Sequence, residues 1–85
     1  MTTERLSLIS RRNCPLCDSA QTSLAALAAT RQIGISEFDV DEDDALRRRF
    51  GDRVPVVLYR GRVIAEGRID GDHLAQALDA ALAGA

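Results

Sequence analysis

The chain has 85 residues, of which 46% are hydrophobic and 28% charged, and its formal net charge is −2. This length and composition are typical of one small folded domain with a single core, and they exclude a disordered tail. The near-neutral charge excludes the basic surface of a protein that binds nucleic acid or an anionic membrane, so we expect neither partner.

The first half of the chain predicts a strand, a helix and a second strand. Residues 6–10 are apolar with partial alternation, which favours a strand. Pro15 suits the first position of a helix, and apolar residues continue at helical spacing as far as Arg31. Gly34 is expected to stop this helix, and residues 35–40 then form the second strand.

The second half predicts a short helix followed by a hairpin. Asp41 is expected to cap a helix over residues 42–50, whose acidic start and arginine-rich end suit the helix dipole. Residues 54–59 are the most apolar and β-branched run of the chain, which predicts a central strand. Arg60-Gly61 is a two-residue turn into a fourth strand over residues 62–65.

A last helix follows Asp70, which is expected to be its N-cap. Strands one and two, joined by a helix, are predicted to be parallel neighbours. We take the pairing of strands one and three as antiparallel, which brings Pro55 beside Cys14. The fourth strand then returns to the same edge and brings Gly67 and Asp70 there. The prediction is one α/β domain over residues 1–85, ordered β-α-β-α-β-β-α, with a four-stranded mixed sheet flanked by helices.

Cys14 and Cys17, the only cysteines of the chain, lie where the first helix begins. Thiols three positions apart on the first turn point the same way, and unpaired N–H groups and the helix dipole stabilise a thiolate there. Met1-Thr2-Thr3-Glu4-Arg5 lacks the features of a signal peptide and no segment approaches about 20 apolar residues, so we expect a cytoplasmic protein. In that compartment a cysteine pair is more often catalytic or metal-binding than structural.

A zinc site within the chain is not predicted. Zinc normally takes four protein ligands in a structural site, and the sequence offers two thiols and one imidazole, that of His73. His73 also falls in the first turn of the last predicted helix, where a surface position is expected. The cysteine pair therefore predicts redox chemistry, and no metal ligands are assigned.

Three motifs together resemble the glutaredoxin family of the thioredoxin superfamily, and in particular its short bacterial members. They are Cys14-Pro15-Leu16-Cys17, Asp39-Val40-Asp41 and Arg53-Val54-Pro55-Val56-Val57. The resemblance covers essentially the whole chain and implies a thioredoxin fold. It also implies a cis bond between Val54 and Pro55, with the backbone of Val54 offered to the substrate.

The chain departs from the family pattern around the motif. Leu16 stands where an aromatic residue is usual between the cysteines, and Arg11 stands where the family has lysine. The family's Gly-Gly and acidic pair, which hold the γ-glutamyl end of glutathione, correspond here to one glycine, Gly67, and one acid, Asp70. The reductant implied is glutathione or another low-molecular-weight thiol, and no tightly bound cofactor is expected.

The sequence thus predicts a monomeric thiol–disulfide oxidoreductase that acts on a disulfide-containing protein or a small-thiol substrate. Cys14 is the expected nucleophile and Cys17 the resolving thiol. The predicted substrate-binding residues are Arg11, Val54, Pro55, Gly67 and Asp70. Two alternatives stay open: a thioredoxin-fold binding module whose cysteines are idle, and an iron–sulfur cluster carrier that works as a glutathione-bridged dimer.

Overall fold

A computed structural model describes residues 5–84, which form four strands, three α-helices and one short 3₁₀ helix. None of the helices within these residues is long and apolar enough to cross a membrane. The predicted order of strands and helices is confirmed. The elements are β1 (Arg5–Ser10), α1 (Pro15–Arg31), β2 (Gly34–Asp39), the 3₁₀ helix (Val40–Glu42), α2 (Asp44–Phe50), β3 (Val56–Tyr59), β4 (Arg62–Glu66) and α3 (Gly71–Ala83).

The four strands form one mixed sheet in the order β2-β1-β3-β4. β1 runs parallel to β2, with Ile9 opposite Phe38, and antiparallel to β3, with Ile9 opposite Val56. The antiparallel prediction for β1 and β3 is therefore confirmed. β4 returns antiparallel to β3 after the Arg60-Gly61 turn, so its end and the start of β3 lie at the same edge of the sheet.

Helices cover both faces of the sheet. α1 and α3 pack on one face through fully buried side chains that include Leu24, Leu74 and Leu78. The seven-residue α2 packs on the other face, where Phe50 is 1% exposed against Ile9 and Val56. Because α2 is so short, it covers mainly the end of the sheet at which β1 stops and β3 begins.

The end of α1 differs from the prediction. The helix stops at Arg31, and Gln32 takes the left-handed conformation at φ 56°. Gly34 is the first residue of β2 rather than the helix stop. A Cβ built there would lie 2.6 Å from the guanidinium of Arg5 on the neighbouring strand, so a larger residue would displace the end of that flexible side chain.

The start of α2 also differs, because the predicted cap, Asp41, belongs to the preceding 3₁₀ helix. The cap of α2 is Asp43, whose Oδ1 accepts a hydrogen bond of 3.0 Å from the Leu46 N–H. Asp39 caps the 3₁₀ helix through the N–H of Asp41 at 2.9 Å. A run rich in aspartates offers several equivalent caps, and tertiary contacts of Asp41 decide between them.

Candidate active site

Cys14 and Cys17 are joined by a disulfide at the N-terminus of α1, with their Cα atoms 5.2 Å apart. Cys14 is the N-cap residue, and Pro15 follows as the first residue of the helix. The sulfur of Cys14 accepts a hydrogen bond of 3.1 Å from the N–H of Cys17. An N-terminal N–H group of the helix is thus directed at this sulfur, where it would also stabilise a thiolate.

The two cysteines differ in exposure. Cys14 is partly exposed, whereas Cys17 is only 3% exposed. Cys17 begins the buried stripe of α1, which continues through Ala20, Leu24 and Ala28. Helical periodicity turns this stripe toward the sheet, so Cys17 is covered for the same reason as the core residues that follow it.

Val54 and Pro55 lie at the sheet edge where β1 ends, and we call this pair the second wall. They precede β3 instead of beginning it, and the peptide bond between them is cis, as the resemblance implied. Pro55 is fully buried, and its carbonyl accepts a hydrogen bond of 2.8 Å from the N–H of Gly67. Since Val56 lies opposite Ile9, this wall meets the end of β1, from which the chain leads to Cys14. The end of β1, the start of β3 and the end of β4 therefore lie at one edge of the sheet, as predicted.

An ion pair that the sequence did not reveal joins the segment before β3 to the end of β4. The Arg53 guanidinium donates to Oε2 of Glu66 through Nε, at 2.8 Å, and also through Nη2. The same guanidinium lies 5.4 Å from the centre of the Phe50 ring. Arg53 precedes the cis bond and Glu66 precedes Gly67, so the pair holds the start of β3 against the end of β4.

Arg11 is held by hydrogen bonds to two other segments of the chain, although its side chain is partly exposed. Its Nε and Nη2 donate to the carboxylate of Asp41 at 2.8 and 3.1 Å, and its Nη1 donates to the carbonyl of Gly51 at 2.9 Å. This hydrogen bonding lowers the pKa of Asp41 and raises that of Arg11. Arg11 therefore fixes the loop before Cys14 to the end of α2, while its charge is offset by Asp41.

A polar cleft of about 480 Å³ lies beside this loop. Its floor includes Ser10, which is 7% exposed and donates a hydrogen bond of 2.8 Å to Glu37. At the rim, Arg12 lies 3.6 Å from Asp39 and 3.8 Å from Glu42. Ser10 is a polar residue on the face of β1 that α1 and α3 cover. A polar residue at such a position of a buried strand is the one feature of the sequence that could have pointed to the cleft.

Asp70 occupies the N-cap position of α3, as predicted, but its side chain makes no capping hydrogen bond. Its backbone carbonyl accepts the Leu74 N–H at 2.8 Å, and its carboxylate lies 3.8 Å from Nδ1 of His73. Both side chains are exposed. Over residues 5–84, no cluster of three or more His, Cys, Asp or Glu side chains is placed to hold a metal ion.

The chain matches the model of the Glutaredoxin-like domain (DUF836) over residues 5–79. It is 32% identical over 75 residues to uncharacterised proteins of Mycobacterium tuberculosis and Mycobacterium bovis, a match that covers 82% of this chain and 77% of theirs. A structural-genomics protein from X. campestris superposes with a TM-score of 0.75 at 36% identity, covering 88% of this chain and 96% of that one. Thioredoxin 1 from Thermosipho africanus superposes at 0.69 with 17% identity, covering 93% and 94%, which shows a thioredoxin-like fold.

Proposed function

The chain belongs to the glutaredoxin-like domain family, and from that premise we propose that it is a thiol–disulfide oxidoreductase working through Cys14 and Cys17. One observation carries the proposal. Cys14, the more exposed of the two cysteines, is the N-cap of α1, and its sulfur accepts a backbone N–H, whereas Cys17, one turn further, is 3% exposed. This arrangement divides the chemistry into an attacking thiol and a resolving thiol.

In the reduced protein, the Cys14 thiolate attacks one sulfur of a substrate disulfide. A bond forms between Cys14 and that sulfur, the substrate S–S bond breaks, and the other substrate sulfur leaves as a thiolate that takes up a proton. Cys17, once deprotonated, then attacks the Cys14 sulfur and releases the second substrate thiol. The protein is left with the Cys14–Cys17 disulfide, and two electrons have passed to the substrate.

The surroundings of Cys14 support roles in substrate binding for the residues of the second wall. Val54 lies just outside the β1–β3 ladder, which ends at Val56, and this position supports the proposal that its backbone pairs with an extended substrate. Pro55 and Gly67 shape the wall through their mutual hydrogen bond. Leu16, 40% exposed between the cysteines, offers an apolar contact. Arg11 and Asp70 are proposed to contact the charged ends of the substrate.

Trapping tests the proposal. A Cys17→Ser variant should stop at the mixed disulfide with Cys14 when it is mixed with a small aromatic disulfide, and mass spectrometry should find one adduct per chain. Cys14→Ser is the matched control and should form no adduct at a comparable rate, because Cys17 is buried. Equal reaction of the two variants, or turnover by the Cys14→Ser variant, would contradict the assigned roles. Failure of both to react would favour a binding module with idle cysteines.

We further propose that a low-molecular-weight thiol, glutathione or a related compound, returns the disulfide to the dithiol. Partial exposure of Cys14 at the open edge of the sheet supports direct attack by a small thiol. The oxidised protein would be incubated with glutathione or dithiothreitol, and its free thiols would then be counted. Reduction by dithiothreitol without reduction by excess glutathione would contradict glutathione as the donor.

A further inference from the structure

A groove runs along the outer edge of the sheet between β4 and α3. It consists of two adjoining clefts of about 640 and 490 Å³, and Ile64 and Ala77 line both. Small residues of α3 form one side of the larger cleft, which reaches the helix end at Gly84. The groove is open because α3 presents alanines and a glycine there instead of large side chains.

The strand that borders this groove is an edge strand. In the order β2-β1-β3-β4, β3 is the strand neighbour of β4 among the described residues, so the other side of β4 faces outward. An edge strand offers backbone N–H and C=O groups to an added strand. The five residues of β4 extend for about 16 Å, and the eleven residues of α3 from His73 to Ala83 rise by a similar length. The groove therefore matches a short extended segment in length.

The charges of the groove favour an acidic segment. Arg60 and Arg62 are the charged residues among those that line the larger cleft. Arg62 lies opposite Tyr59, on the face of the sheet that α1 and α3 cover. In the smaller cleft, Arg68 accompanies the carboxylates of Glu66 and Asp70. Glu66 is already bound by Arg53, and Asp70 lies beside His73. The excess of positive charge among the described lining residues therefore lies in the larger cleft, while Arg68 in the smaller cleft is accompanied by the carboxylate of Asp70, and apolar side chains lie between.

We propose that this groove binds an extended acidic segment of a partner protein, which adds to β4 as a fifth strand. Its acidic side chains lie near Arg62 and Arg68, and a central apolar side chain packs on Ile64 and Ala77. The larger cleft is separate from the cysteine site, since it lies at the end of β4 opposite Gly67, whereas the smaller cleft includes Asp70, which is also a proposed substrate contact.

The probe is a nine-residue peptide with the central sequence Glu-Val-Val-Val-Glu, titrated into ¹⁵N-labelled protein. Saturable shifts are expected in β4 and in the second half of α3. Arg62→Glu should weaken binding about tenfold, as should Arg68→Glu, and the double variant should instead bind a peptide with lysine in place of glutamate. Arg48→Glu, on α2 at the opposite face of the sheet, is the matched control and should bind like the unchanged protein.

A peptide methylated on alternate backbone nitrogens separates strand addition from charge attraction alone, because it keeps the side chains and loses the backbone donors. It should bind at least about tenfold more weakly. The proposal is overturned if the methylated peptide binds equally well, if the shifts fall outside the groove, or if no saturable shift occurs. It is also overturned if the groove is occupied by a second copy of the chain, seen as concentration-dependent dimerisation that Arg62→Glu abolishes. Reduction of a small disulfide should be unchanged in Arg62→Glu, so failure of peptide binding and failure of the redox activity are distinguishable.

Discussion

Replacing Asp18 with asparagine is expected to lower the pKa of Cys14. Asp18 lies in the first turn of α1, and its N–H donates to the Cys14 carbonyl at 3.0 Å. Its carboxylate therefore stands on the same helix end as the thiolate, four positions away. Side chains at this spacing have Cβ atoms about 5–6 Å apart, and two unit charges at about 6 Å in water interact by about 0.7 kcal/mol. Removing the negative charge should lower the Cys14 pKa by about half a unit.

The assay is a titration of thiolate absorbance in a Cys17→Ser background, so that only Cys14 contributes. Below the Cys14 pKa, attack on a small disulfide should be about 1.8-fold faster in the Asp18→Asn variant, because the gain in thiolate exceeds its loss of nucleophilicity. Above that pKa, attack should be slower by a similar factor. Asp72→Asn, in the first turn of α3, is the control and should leave the Cys14 pKa unchanged.

The Asp18→Asn substitution is also expected to lower the free energy of unfolding, although it makes the Cys14 thiol more acidic. A carboxylate near a helix N-terminus stabilises the helix by about 0.3–1 kcal/mol, so the variant should unfold slightly more easily while its thiol becomes more acidic. A Cys14 pKa that stays constant or rises would refute the reasoning. It would mean that the Asp18 carboxylate does not act on the charge of this sulfur.

Three further outcomes are expected. Gly67→Ala places a side chain at φ 70° beside the second wall and should reduce both stability and disulfide reduction, whereas Gly61→Ala, at φ 79° in the distant turn, should reduce stability alone. Hydrogen bonds from Arg31 lower the pKa of Asp79, so the stability that this carboxylate contributes is present above its unfolded pKa and is lost as pH falls through the lower folded value. Denaturant unfolding at several pH values should show Asp79→Asn less stable at neutral pH and equal to the unchanged protein in acid. Phe50→Ala should cost about 3–5 kcal/mol of unfolding free energy, because the ring is 1% exposed.

The hairpin and the buried face of α1 could be predicted from the sequence because each depends on the spacing of residues that are close together in the chain. The apolar run before β3 and the two-residue turn after it are enough to place the hairpin. The stripe of Cys17, Ala20 and Leu24 has helical spacing and is buried along α1. The cis bond before Pro55 is different, since only the family resemblance pointed to it.

The long-range polar contacts could not be predicted. Arg11 meets Asp41 across 30 positions, and Arg53 meets Glu66 across 13. With eleven basic and thirteen acidic residues in the chain, many pairings are equally compatible with the sequence, and the sheet register selects among them. The error at the start of α2 has the same origin, because a carboxylate expected to cap the helix is bound by an arginine from another segment.

The division of labour between the two cysteines follows from their positions on the helix rather than from the charges around them. Cys14 ends the loop and receives the Cys17 N–H, while Cys17 is the first residue of the stripe that α1 packs against the sheet. The two arginines of the loop before Cys14 each lie beside carboxylates: Arg11 beside Asp41, and Arg12 beside Asp39 and Glu42. Neutralising those arginines should therefore change loop order and partner choice more than the order in which the two thiols react. In the proposed mechanism, the helix end rather than the loop arginines therefore makes Cys14 the attacking thiol and Cys17 the resolving thiol.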